Sequence, residues 1–107
     1  MQQFLLLLNS KASRDISPEE LERRLSEYRE WVKTIPDHYL SDSRLDKGGA
    51  YITQDKPVLT DGPFAELNEV IAGFVVIRAN DLNQATQVTQ TSPLLQYFNI
   101  AVRPIVG

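Results

Sequence analysis

The chain has no cysteine and only one histidine in 107 residues. The first absence removes disulfides and thiolate chemistry, and the second leaves too few ligands for a closed zinc site. There is no EF-hand loop and no histidine pair at ligand spacing, so no metal or other cofactor is expected. Gly48-Gly49 lacks the surrounding motif and following helix of a phosphate-binding loop. Long apolar runs are also missing. Nothing approaches the roughly twenty residues that span a bilayer. Phe4–Leu8 is shorter than a signal-peptide core and has no basic region before it. A cytoplasmic location without a membrane partner is the expectation. Clustered positive charge is absent too: the formal net charge is -3, and Arg23, Arg24, Arg29 and Lys33 are interleaved with Glu19, Glu20, Glu22, Glu27 and Glu30. A nucleic-acid partner meets a basic surface, so none is expected here. Glu19 to Arg23 and Glu20 to Arg24 are instead spaced for ion pairs along a solvated helix face.

What is present is the composition of an ordinary globular domain, 42% hydrophobic and 23% charged, read as one unit over residues 1–107. Gln2 to Asn9 reads as a strand. Ser17-Pro18-Glu19-Glu20 is a capping box with proline at the first helical position, and Ile16 and Leu21 are placed for a hydrophobic staple. Leu21, Leu25, Tyr28, Val32 and Ile35 carry the helical period to the stop at Pro36, with Trp31 widening the stripe. Asp37 to Lys47 is polar and poorly periodic and reads as a loop. Ala50–Thr53 and Pro57–Thr60 form a small hairpin, Ile71–Ala79 a strong strand, and Asp81 with Gln84 starts a shorter helix to about Thr91. Phe98 to Val106 is the last strand.

Two strand–helix–strand crossovers around an antiparallel middle predict a ferredoxin-like α+β sandwich with an inserted hairpin. The Ile71–Ala79 strand is apolar on both faces: Ile71, Val75 and Ile77 lie on one, Ala72, Phe74 and Val76 on the other. The first strand is apolar on both faces as well. Two helices cover only one face of such a sheet, so the other is expected to meet a second copy in a homodimer.

Thr60-Asp61-Gly62-Pro63-Phe64-Ala65-Glu66, followed by Glu69 and Gly73-Phe74, resembles the DGPF-type branch of the YCII-related family. The likeness extends to the Phe4–Leu8 strand, the Ser17-Pro18-Glu19-Glu20 helix start, Trp31 and Val102-Arg103-Pro104. It implies a dimeric α+β barrel. It also implies a histidine–aspartate pair proposed as catalytic in some members, and a genomic setting beside extracytoplasmic-function sigma factors. Asp61 matches the family's aspartate. The lone His38 follows the first helix and does not match the histidine, Leu67-Asn68 replaces threonine–lysine, and Ala101 replaces a glutamate.

The residues themselves leave two readings of Asp61 open. An Asp-Gly-Pro run is turn chemistry, the aspartate bonding backbone two residues on and Phe64 anchoring the turn. Alternatively Asp61 is the acid/base or polar anchor of a small-molecule site. Glu66 and Glu69 would then form an acidic wall, Phe64 an apolar contact and Arg103 a site for substrate anions. The competing function is a non-catalytic dimeric regulatory module, linked through the resemblance to sigma-factor signalling.

Overall fold

The computed structural model describes residues 1–11, 16–46, 49–52, 54–55, 57–60 and 70–107. Strand β1 (Gln2–Ser10) sends Phe4, Leu6 and Leu8 into the core, while Leu5 and Leu7 stay half-buried on the other face. Helix α1 (Pro18–Thr34) begins where its capping box places it. The Ser17 side chain accepts from the Glu20 amide at 3.1 Å, and Ile35 caps the far end. Glu20 and Arg24 form the expected ion pair at 2.8 Å, whereas Arg23 turns to Glu20 at 3.5 Å and Glu27 at 3.8 Å.

The segment read as a loop contains strand β2 (Tyr39–Arg44), which corrects the sequence expectation. Among the described residues it is an edge strand hydrogen-bonded only to strand β5 (Val70–Ala79), so it needs no second apolar neighbour and carries YLSDSR. Its register slips between Tyr39, opposite Ile77, and Ser41, opposite Val76, leaving Leu40 without a partner. Strands β3 (Gly49–Ile52) and β4 (Pro57–Thr60) pair antiparallel as the inserted hairpin.

Helix α2 (Leu82–Gln90) is capped reciprocally. The Gln84 amide donates to Asp81 Oδ1 at 2.8 Å, and Gln84 Oε1 accepts from the Asn80 amide at 2.7 Å. A 3-10 turn (Pro93–Gln96) then leads into strand β6 (Phe98–Pro104). The order β2-β5-β1-β6, with every neighbouring pair antiparallel, is the interleaved arrangement of a ferredoxin-like α+β fold.

The core lies between the helices and one sheet face. Phe4, Leu6, Val75 and Ile77 are fully buried there, joined by Trp31 and Ile35 from the first helix, Ala85 from the second and Leu94 from the 3-10 turn. Trp31 Nε1 donates to Thr91 Oγ1 at 2.9 Å and so ties α1 to the end of α2. Ile71 does not share the burial of Val75 and Ile77, contrary to the alternation expected, because the β1–β5 register slips between Leu8/Gly73 and Asn9/Ile71. The opposite face presents Leu5, Leu7, Phe74, Val76 and Ala101, paired across the strands, with Gln3, Arg78 and Arg103 around them. Among the described residues, no helix is long and apolar enough to cross a membrane.

Gly73 on β5 stands opposite Arg44 of β2, with the β2 main chain close above it. A Cβ there would lie 2.7 Å from the Ser43 backbone oxygen and 3.3 Å from Arg44 Cα. Both obstacles are main chain, so β2 itself must shift to admit a methyl group. Gly73→Ala is expected to cost about 1–3 kcal/mol in urea unfolding, the usual range for overpacking. A change below about 0.5 kcal/mol would mean that β2 yields freely.

Candidate functional site

A cavity of about 500 Å³ opens between α1, the 3-10 turn and the core face of the sheet. That is the size of an ordinary small-molecule pocket. Helix α1 contributes Leu21, Leu25 and Tyr28, the sheet contributes Leu8 and Val75, and Leu94 and Phe98 come from the turn and the strand after it. Into this apolar surround β2 brings Asp42 and Arg44, two residues apart and therefore on one face of the strand.

Two tyrosine hydroxyls converge on one oxygen of Asp42. Tyr28, from α1, donates to Oδ2 at 2.7 Å, and Tyr39, from the start of β2, donates to the same atom at 2.5 Å. Burial first, and then the bond to Asp42, push the Tyr28 hydroxyl far above its usual pKa; at Tyr39 the bond to Asp42 leads and burial adds to it. Both hydroxyls therefore remain protonated donors around neutral pH and hold the carboxylate in one orientation. Asp42 Oδ1 accepts no hydrogen bond among the described residues, so the second oxygen keeps its full accepting capacity.

A second polar cluster stands beside the cavity, with Arg24 the member that lines it. The Arg24 guanidinium stacks 3.9 Å from the Tyr97 ring centroid while its Nη2 donates to Glu20 at 2.8 Å. Tyr97 in turn donates its hydroxyl to Glu27 at 2.7 Å and accepts from Arg23 at 3.0 Å. This network fastens the 3-10 turn to α1 beside the cavity.

Of the residues singled out from the sequence, Asp61, Phe64, Glu66 and Glu69 lie outside the described residues. Arg103 stands opposite Leu5 on β6, exposed, on the open face of the sheet and not among the residues that line the cavity. It makes no ion pair among the described residues. His38 lies 2.8 Å through Nδ1 from the Arg78 carbonyl oxygen, which can only accept, so Nδ1 carries the proton there. Arg78 returns the contact by donating Nε to the Asp37 carbonyl at 2.9 Å. His38 thus clips the α1–β2 turn to β5. Among the described residues no three histidines, cysteines or carboxylates gather as a metal-holding group.

Asp42 and Arg44 were not singled out from sequence. Their signal was the polar-strand alternation of Asp42 and Arg44, hidden inside a stretch whose apolar periodicity is too weak to mark a strand.

No curated protein matches the chain in sequence. Among solved structures it is similar to the 5-chloro-2-hydroxyhydroquinone dehydrochlorinase TftG of Burkholderia phenoliruptrix, determined in complex with 2,5-dihydroxybenzoquinone. The TM-score is 0.55 at 10% identity, over 97% of this chain and 93% of that one, a likeness of fold alone. The YCII-related domain model matches residues 15–107, and the chain belongs to that family.

Proposed function

We propose that the protein binds a small organic molecule in the cavity under α1, with Asp42 as its polar anchor and a group placed to accept a proton. The supporting observation is the Asp42 carboxylate: it faces an apolar cavity, is fixed through Oδ2 by two tyrosine hydroxyls, and has Oδ1 left to accept from a ligand. A fixed acceptor in an apolar surround is what orients a ligand and what acid/base catalysis requires. The motif residues Asp61, Phe64, Glu66 and Glu69 remain candidates for the same site, since the chain passes directly from Glu69 into β5, whose Ala72 lines the cavity. The working unit in this reading is a homodimer joined through the open sheet face.

Asp42→Asn tests the reading. The amide oxygen still accepts from the tyrosine hydroxyls, so the variant is expected to fold, while the charge is gone. For small molecules that shift the backbone NMR signals of Asp42 and Val75, affinity should fall about tenfold or more, as for loss of a charge-assisted hydrogen bond. Unchanged affinity, or hits that shift only signals away from the cavity, would remove Asp42 from the site.

A further inference from the structure

We infer that the ligand is a zwitterion with an apolar tail, of which an apolar α-amino acid is the simplest case; this rests on the ligand-binding reading above. Asp42 and Arg44 line the same cavity from successive same-face positions of β2, with Cα atoms about 6–7 Å apart by strand geometry. The two are close enough to neutralise one another, and they do not. Among the described residues, Asp42 is met only by neutral hydroxyls and Arg44 makes no ion pair.

The other charged lining groups among the described residues have partners of their own. The Arg24 guanidinium is spent on Glu20 and the Tyr97 ring, with its Nε buried and out of reach. Asp46 is engaged in an interaction of its own. Among the described residues one anionic and one cationic receptor are thus left side by side, and the rest of the surround is mostly aliphatic and aromatic, with Leu8, Leu21, Leu25, Val75, Leu94 and Phe98.

The charge pattern selects among ligand classes. A simple carboxylate would satisfy Arg44 but stand beside the Asp42 carboxylate. A simple amine would satisfy Asp42 but stand beside the Arg44 guanidinium. Like charges brought together oppose binding, while matched opposite charges favour it. A molecule carrying an ammonium and a carboxylate on one carbon satisfies both, and its side chain fills the apolar part.

The test is a calorimetric and NMR titration of the full chain with four probes that share one ring: L-phenylalanine, 3-phenylpropanoate, 2-phenylethylamine and 3-phenylpropan-1-ol. L-Phenylalanine should bind at least about tenfold more tightly than each of the others, since each of them lacks at least one charge-assisted contact. Asp42→Asn should bring phenylalanine down to the level of 3-phenylpropanoate, and Arg44→Gln should bring it to that of 2-phenylethylamine. The comparison among probes on the unaltered protein stands even if either variant folds poorly. Equal or tighter binding of the alcohol or of a single-charge analogue sinks the zwitterion and leaves the ligand site standing. No shift at Asp42 or Val75 with any of the four sinks both.

Discussion

Trp31→Ala should lower the unfolding free energy by about 3–5 kcal/mol, the range for truncating a buried aromatic. Trp31 is 4% exposed, belongs to the core cluster and donates its indole N–H to Thr91 across the two helices. Alanine removes the packed ring and the interhelical bond together. Set against the roughly 5–15 kcal/mol that stabilises a domain of this size, the loss is a fifth or more of the total. The effect should also reach the site. The Trp31 ring lies 5.9 Å from that of Tyr28, and Tyr28 is the residue through which α1 holds Asp42. Trp31→Phe, which keeps an aromatic ring but not the N–H, should recover most of the stability. Urea unfolding measures both; a loss below about 1 kcal/mol for the alanine variant would show that α1 is held by something other than this ring.

The second large effect concerns assembly. Leu5, Leu7, Phe74, Val76 and Ala101 form an apolar band across three strands on the face that the helices leave uncovered. Soluble monomers seldom expose such a patch. Light scattering at micromolar concentration is expected to give twice the chain mass. Leu7→Glu, placed between Phe74 and Ala101, puts a carboxylate at the centre of the band. It should weaken association by about two orders of magnitude, as at a central interface position, while leaving a folded monomer. A monomeric parent protein would refute the pairing of sheet faces, and a dimeric Leu7→Glu variant would move the interface elsewhere.

The elements that sequence revealed are those whose ends carry their own chemistry. Ser17 and Asp81 cap their helices with the bonds that their spacing predicts, because a capping interaction is local and owes little to the rest of the fold. The two-faced apolar pattern of β1 and β5 was equally legible, since central strands must be apolar wherever both faces are covered or half-covered. Strand β2 was not. An edge strand earns its place through backbone bonds to β5, and Tyr39-Leu40-Ser41-Asp42-Ser43-Arg44 says little about those in its side chains. The site was hidden for the same reason. Asp42 becomes notable only when Tyr28, fourteen residues earlier, and Tyr39 are seen to meet at one oxygen, a coincidence made by the fold and not by local spacing.

Leu40 shows where part of the site's specification resides. Side chains along a strand alternate, so residues three apart, such as Tyr39 and Asp42, should point to opposite faces. The unpaired Leu40 inserts one extra step on β2 and thereby reverses the phase, bringing the two onto the same face, where their contact forms. The outcome depends on Leu40 standing outside the ladder, and hardly on which residue Leu40 is. Drawing Leu40 into the ladder would turn Tyr39 to the face opposite Asp42, whereas deleting it would leave the two a regular two residues apart and still together, and many replacements of its side chain would do the same. Along this strand, the place where the ladder is broken is the instruction, and the side chain at the break is adjustable.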